Sequence, residues 1–503
     1  MSPALPLPPR PNLEHLKKQA KELLHSVQTQ DPAAAERFRS LGIASAGARL
    51  ADAQHVVARE YGFSTWTSLK EHVESVDAEP DPRKALIAAV QADDIAKARA
   101  LLQRHAVLRA QINEPMPEIP FGGRPIGAIA QHKNRAMLDL FLEFGADINA
   151  RSDWAPGSFG VLDSADPEFA QFLISRGARV DAHSAAHLGR LDELRQIVSA
   201  NPEVVHARGG DGQTPLHFAS TIEIADFLLE HGADIDAIDV DHEGTPAQWM
   251  ISDRTEIARH LVRRGAKEDF LMAVALGNIE VVRRFLDANS AVVRTAVTPD
   301  YFPMRGPLAG GHIYNWSLVR NGTAHDVARR FGHEDVLRLL MERSPDDVKL
   351  VAAARLGDEA LARQVMAGRP GLAKDLPNEM RRKLVDAAQD ENLTAVRVML
   401  AAGWPTDGRG HENATALHWA AFLGNAEIAR ELLRYGAPVN VKGDNYNGTP
   451  LHWGIYGSTN SWKCKSGDYV GVVTALIEAG AEVPSKTDSA SDAVREALRR
   501  RAT

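Results

Sequence analysis

Residues 412–440 read ENATALHWAAFLGNAEIARELLRYGAPVN, and the same arrangement returns at 211–239 as DGQTPLHFASTIEIADFLLEHGADIDAID. Shorter or looser forms follow at 242–269 (HEGTPAQWMISDRTEIARHLVRRGAKED) and 446–453 (YNGTPLHW). Each has a turn, a short helical stretch, a tight connection, a second helix and a closing Gly-Ala. Thr214 suits a helix N-cap, and Pro215 suits the first helical position, where a missing N–H costs nothing. In the second helix Ile428, Leu432 and Leu433 fall on one stripe, and Gly436 can adopt the left-handed conformation that ends a helix. One such unit cannot bury its apolar stripe alone, whereas stacked neighbours can.

The chain resembles ankyrin-repeat proteins. The resemblance is carried by Thr214-Pro215-Leu216-His217, Thr415-Ala416-Leu417-His418 and Thr449-Pro450-Leu451-His452. It is carried too by the Gly-Ala steps at Gly145, Gly177, Gly232, Gly265, Gly436 and Gly480. Degenerate copies at 83–104, 124–150, 160–181, 183–202, 269–288, 323–343, 347–368 and 380–404 bring the total to about twelve between roughly residues 82 and 484. The expected fold is therefore an all-α ankyrin-repeat solenoid over 81–503, closed by a polar capping helix near 488–501. Residues 1–80 do not share the period. There Leu13, Leu16, Ala20, Leu23 and Leu24 form one stripe, Leu50, Gln54, Val57 and Tyr61 mark a helix ended by Gly62, and another helix starts near STWTSLKEHVE. This N-terminal helical module and the interrupted repeats resemble a group of bacterial ankyrin proteins.

Bulk properties narrow the function. The net charge of -8 argues against binding phosphate backbones, so no nucleic-acid partner is expected. A single cysteine, Cys464, excludes an internal disulfide and suits a reducing compartment. No apolar run approaches the ~20 residues of a membrane span. A cytoplasmic protein without membrane contact, and monomeric as extended arrays often are, is the expectation.

Three insertions break the repeat count: 105–123, 291–321 and 457–467. The second, AVVRTAVTPDYFPMRGPLAGGHIYNWSLVRN, has two β-branched and aromatic runs flanking a Pro/Gly-rich turn, which reads as a hairpin-like excursion. Long loops in compact architectures are usually functional or disordered, and aromatic residues argue against disorder.

The resemblance implies that the turns and first-helix ends line a concave face, which the hairpin would overhang. The candidate ligand-binding residues are Asp153, Trp154, His187, Asp211, Asp241, His242, Tyr301, His312, Tyr314, Trp316, His411, Tyr446, Tyr456 and Trp462. His217, His418 and His452 are read instead as ties between neighbouring turns, and Trp249, Trp419 and Trp453 as packing residues. His183 and His187 sit four apart, but His183 coincides with the tying histidine and no glutamate accompanies them, so no metal site is expected. His325 replaces a core leucine and needs polar partners, for which Asp326 and the preceding loop are nearest.

No glycine-rich phosphate motif, nucleophile elbow or Cys/His set is present, and no cofactor is implied. The leading expectation is an interaction protein that holds a protein or peptide through its concave face and inserted loops. The alternative is a site for a small polar, cationic or sugar-like ligand, even a catalytic one. There His312 or His242 would act as acid or base, oriented by Asp241 or Asp211, with Tyr314 or Tyr301 donating a hydrogen bond.

Overall fold

The computed structural model describes residues 7, 13–77, 81–307, 309–443, 447–484 and 487–501. The secondary structure there is helical, with no strand beyond one isolated bridge, Ala296 to Thr323. The chain divides into two compact units, Met1–Gly212 and Gln213–Thr503.

The first unit opens with helices Leu13–Gln28, Pro32–Arg39, Leu50–Glu60 and Trp66–Asp77. The expected Leu16, Ala20 and Leu23 stripe is buried. Two details differ from expectation. An extra helix forms at Pro32–Arg39, where Asp31 accepts from the Ala33 amide at 2.9 Å and Pro32 needs no partner. The third helix buries Ala53, Val56, Val57 and Ala58, while Leu50 stays exposed. Phe38 inserts between these helices and joins Leu69 and Val73 in their shared core. Helix pairs follow, such as Pro82–Gln91 with Ile95–Arg104 and Pro125–Gln131 with Arg135–Glu143. Around 160–181 the first helix of the pair is replaced by turns, and only Pro167–Ser175 is helical.

In the second unit the pairs run regularly, and Ala416–Phe422 packs on both Lys383–Gln389 and Pro450–Asn460. Ile428 and Leu432 are wholly buried and Leu433 partly so, as their spacing requires. Gly436 ends its helix at φ 79°, which a side chain would strain.

The fourth-position histidine rivets successive units. His418 Nδ1 accepts the Thr415 amide at 3.1 Å, and its Nε2–H donates to the Gly448 carbonyl of the next unit at 3.1 Å. His217 repeats this with the Thr214 amide and the Gly244 carbonyl, each at 3.1 Å. His183 Nε2 likewise reaches the Ala207 carbonyl at 3.1 Å, so it serves the stack.

Not every unit keeps the histidine: in Thr245-Pro246-Ala247-Gln248 the Gln248 side-chain oxygen takes the Thr245 amide at 2.9 Å, and a further unit uses a carboxylate. In Thr323-Ala324-His325-Asp326 an aspartate takes the fourth position: it accepts from the Thr323 amide at 2.7 Å and pairs with Arg355 Nε at 2.7 Å. The partner of His325 is neither Asp326 nor the loop but Ser344, 2.9 Å from Nε2. Since the Ser344 hydroxyl proton goes to the Leu340 carbonyl at 2.7 Å, the histidine must donate. Nδ1 is then left as a buried acceptor without a partner. Nearby, buried Lys383 donates to both Asp386 and the Asn321 carbonyl at 3.1 Å.

The expected hairpin at 291–321 is a closed loop instead of paired strands. Pro299, Pro303 and Pro307 lack ladder donors, and among the described residues only the Val297 amide bonds across, to the Gly322 carbonyl at 2.8 Å. VVRTAV begins as the short turn Ser290–Arg294, and HIYNWS forms the single-turn helix Tyr314–Ser317. At 457–467 the preceding helix extends to Asn460, which shortens the loop. The terminal helix Asp492–Arg501 lays Val494 and Leu498 against Tyr469–Glu478.

Candidate functional site

The loop 291–321 is held by a turn made of Asp239 to Thr245. Buried Asp239 accepts from the His242 amide (2.6 Å), the Gly244 amide (2.7 Å) and the Trp249 indole (2.8 Å), which fixes the turn's shape. Three successive residues then grip the loop. Asp241 takes the Gly310 amide on both its carboxylate (2.9 Å) and its carbonyl (2.8 Å). His242 donates from Nδ1 to the Gly311 carbonyl at 2.9 Å and accepts the Ile313 amide at 3.1 Å. The Glu243 carboxylate accepts the Arg305 and Gly306 amides at 2.8 and 2.6 Å. Trp316, 55% exposed, leans on the His242 ring with centroids 4.3 Å apart.

Behind this grip, Tyr314 is fully buried. It donates to Asp269 at 2.5 Å and accepts from Gln248 at 3.1 Å. Burial, then the adjacent Asp269 carboxylate, pushes the phenol well above its ordinary range, so it remains a donor. The His312 ring packs at a tilt against Phe302 and Tyr314, with centroids 4.7 Å away in both cases. Burial lowers its pKa below 6.5, against the opposing carboxylates of Asp269, Asp239 and Glu243. Its Nδ1 accepts the Tyr314 amide at 3.2 Å, so the neutral ring carries its proton on Nε2. It therefore presents a donor, not a lone pair able to take a proton.

The structure thus brings Asp241, His242, His312, Tyr314 and Trp316 together, but Asp241, His242 and Tyr314 are occupied in holding the loop. Tyr301 lies elsewhere, donating to Glu379 at 3.1 Å, and burial with that carboxylate pushes its pKa up to about 12. In the first unit the Trp154 indole donates to Asp211 at 3.1 Å, and Phe121 packs edge-on against Trp154 at 4.9 Å. Asp153 pairs with Arg124 at 2.9 Å. His187, half-buried, bonds the Ala165 carbonyl at 3.0 Å.

The remaining candidates gather around Phe422. Trp462 meets its ring edge-on at 5.4 Å, Tyr456 stacks at 6.5 Å, and Trp419 and Trp453 flank it at 5.9 Å each. His411 stacks on Trp419 at 6.1 Å, and Tyr446 lies outside the described residues. Asp239, Glu243, Asp269 and Gln248 escaped the sequence reading. Of these, Asp269 had a local signal as the cap immediately before FLMAVAL, and Gln248 as the last residue of a Thr-x-x-Gln capping box.

Ankyrin-repeat family models match residues 384–487, as three copies, and residues 211–240. The chain carries ankyrin repeats. Similar stretches occur in palmitoyltransferase Hip14 of Drosophila melanogaster (32% identical over 24% of this chain and 17% of the relative). Others lie in a putative palmitoyltransferase ZDHHC13 of Danio rerio (35%, over 14% and 11%) and the E3 ubiquitin-protein ligase KEG of Arabidopsis thaliana (23%, over 58% and 18%). The match spans less than a fifth of each of these three relatives. Among the described residues no helix is long and apolar enough to cross a membrane.

Proposed function

We propose that the chain is an interaction module that recognises a protein or peptide through aromatic side chains on its inserted segments. One observation carries this reading. Each of the three segments that interrupt the repeat count exposes one large aromatic residue by more than half: Phe121 (56%), Trp316 (55%) and Trp462 (66%). Exposed tryptophans on ordered backbone lose little freedom on binding and bury much area, which is how interface anchors behave. Phe121 is also held at φ 61°, a costly conformation for an aromatic residue and one that clusters at functional sites. Ankyrin repeats generally support protein interaction, and the relatives share only such a stretch with this chain.

The reading is tested by panning a random peptide display library on the purified chain. Enriched peptides are expected to lose at least tenfold in affinity for Trp316→Ala or Trp462→Ala while the thermal midpoint stays near wild type. Enriched peptides that bind both variants as tightly as wild type would overturn it.

A second reading, a small-molecule site at the 291–321 loop, is favoured by one observation: His312 Nε2 has no hydrogen-bond partner among the described residues. The ligand it suits is an acceptor, such as a hydroxyl or carbonyl oxygen. His312→Phe should then abolish binding of that ligand and leave peptide binding through Trp462 intact.

A further inference from the structure

Away from those candidate residues, a cavity of about 570 Å³ opens beside the unit in which Asp326 replaces the histidine. Its lining includes four arginines, Arg320, Arg329, Arg330 and Arg355, and two acidic residues, Asp326 and Asp390. Most of the negative charge is already committed. Asp326 accepts from the Thr323 amide, the Thr323 hydroxyl and Arg355 Nε, and Asp390 lies 3.4 Å from Arg355 Nη2. Arg329 is held at 3.2 Å by the exposed Glu334, and Arg330 donates to the Leu318 carbonyl with its guanidinium near Phe331. Arg320 is exposed and makes no ion pair or hydrogen bond among the described residues.

The Arg355 side chain is only 5% exposed, and its Nη1 has no acceptor. A buried guanidinium N–H without a partner is uncommon, because such groups are costly to desolvate unless an acceptor is supplied. Here the group forms part of a cavity wall that three further arginines share. A volume of this size falls within the range of small-ligand pockets.

We propose that this cavity binds a phosphate monoester, with Arg355 and Arg320 taking its oxygens and Arg329 and Arg330 adding charge. The uncommitted Arg320 and the open Nη1 of Arg355, beside two further arginines, suit an anionic group with several acceptor oxygens. A phosphorylated side chain of a bound peptide and a free small phosphate ester share this chemistry.

Isothermal titration of the whole chain distinguishes the sources with two probes, a blocked phosphoserine tripeptide and ribose 5-phosphate, each compared with sodium sulfate at matched ionic strength. At least one probe is expected to bind tenfold or more tightly than sulfate, and the tighter one names the source. Arg320→Glu and, separately, Arg329→Gln should each weaken that probe at least fivefold while leaving the unliganded thermal midpoint unchanged. Equal affinity for sulfate and both probes, or undiminished probe binding by both variants, would overturn the site. Both substitutions are at exposed positions, so misfolding does not confound the result.

Discussion

At the scale of single residues, the two most informative side chains are buried histidines doing different work. Burial lowers His418 to a pKa of about 4, and it lowers His325 to about 4 as well. In the unfolded chain both would titrate near 6.5. Between about pH 6.5 and 4 the unfolded state therefore binds protons that the folded state refuses, so stability rises with pH across this window and falls on acidification. Each histidine can contribute up to about 3 kcal/mol to that loss. His325→Leu restores the apolar residue usual at this position and removes the unpartnered Nδ1, while Ser344 keeps its bond to Leu340. The variant should be more stable than wild type, by about 1 kcal/mol at pH 7 and by clearly more at pH 5. Urea titrations at both pH values measure this, and an equal gain at the two would show that His325 does not titrate. His418→Ala should instead cost about 2–4 kcal/mol, because it strands the Thr415 amide and the Gly448 carbonyl and leaves a cavity.

At the scale of elements, the loop 291–321 owes its order to side chains of a distant turn. Asp241, His242 and Glu243 reach amides and carbonyls more than sixty positions further along the chain. Glu243→Ala frees the Arg305 and Gly306 amides together, so their hydrogen exchange should accelerate at least tenfold with little change in global stability. Unchanged protection would mean that the aromatic cluster of Phe302, His312 and Tyr314 orders the loop by itself. This contrast also explains what sequence reading could reach. The Thr-Pro-Leu-His steps and the glycine ending each second helix follow from capping and spacing within a few residues, so they are legible in any one unit. The repeat fold follows from them. The role of Asp241 as a staple is not legible, because a turn aspartate reads equally well as solvated until residue 310 is placed beside it. The same holds for Arg355, whose partners Asp326 and Asp390 lie on other units. The hairpin expectation failed because β-branched content was weighed above the prolines that deny the ladder its donors.

At the scale of the molecule, helix pairs contact chiefly their neighbours, so the chain should not unfold as one cooperative unit. Calorimetry is expected to give an enthalpy exceeding the van't Hoff value. Equality of the two would show coupling that runs through the whole chain. The joint at Lys383 and Asp386 differs in kind from the imidazole-riveted ones, being charged and almost dry. Lys383 shares its ammonium between the carboxylate of its own helix and the carbonyl of Asn321, the residue at which the inserted loop ends. Loss of either acceptor would leave a cation that water does not reach with one partner fewer, which is costly. The end of the inserted loop and the helix Lys383–Gln389 are thus tied through one buried ammonium.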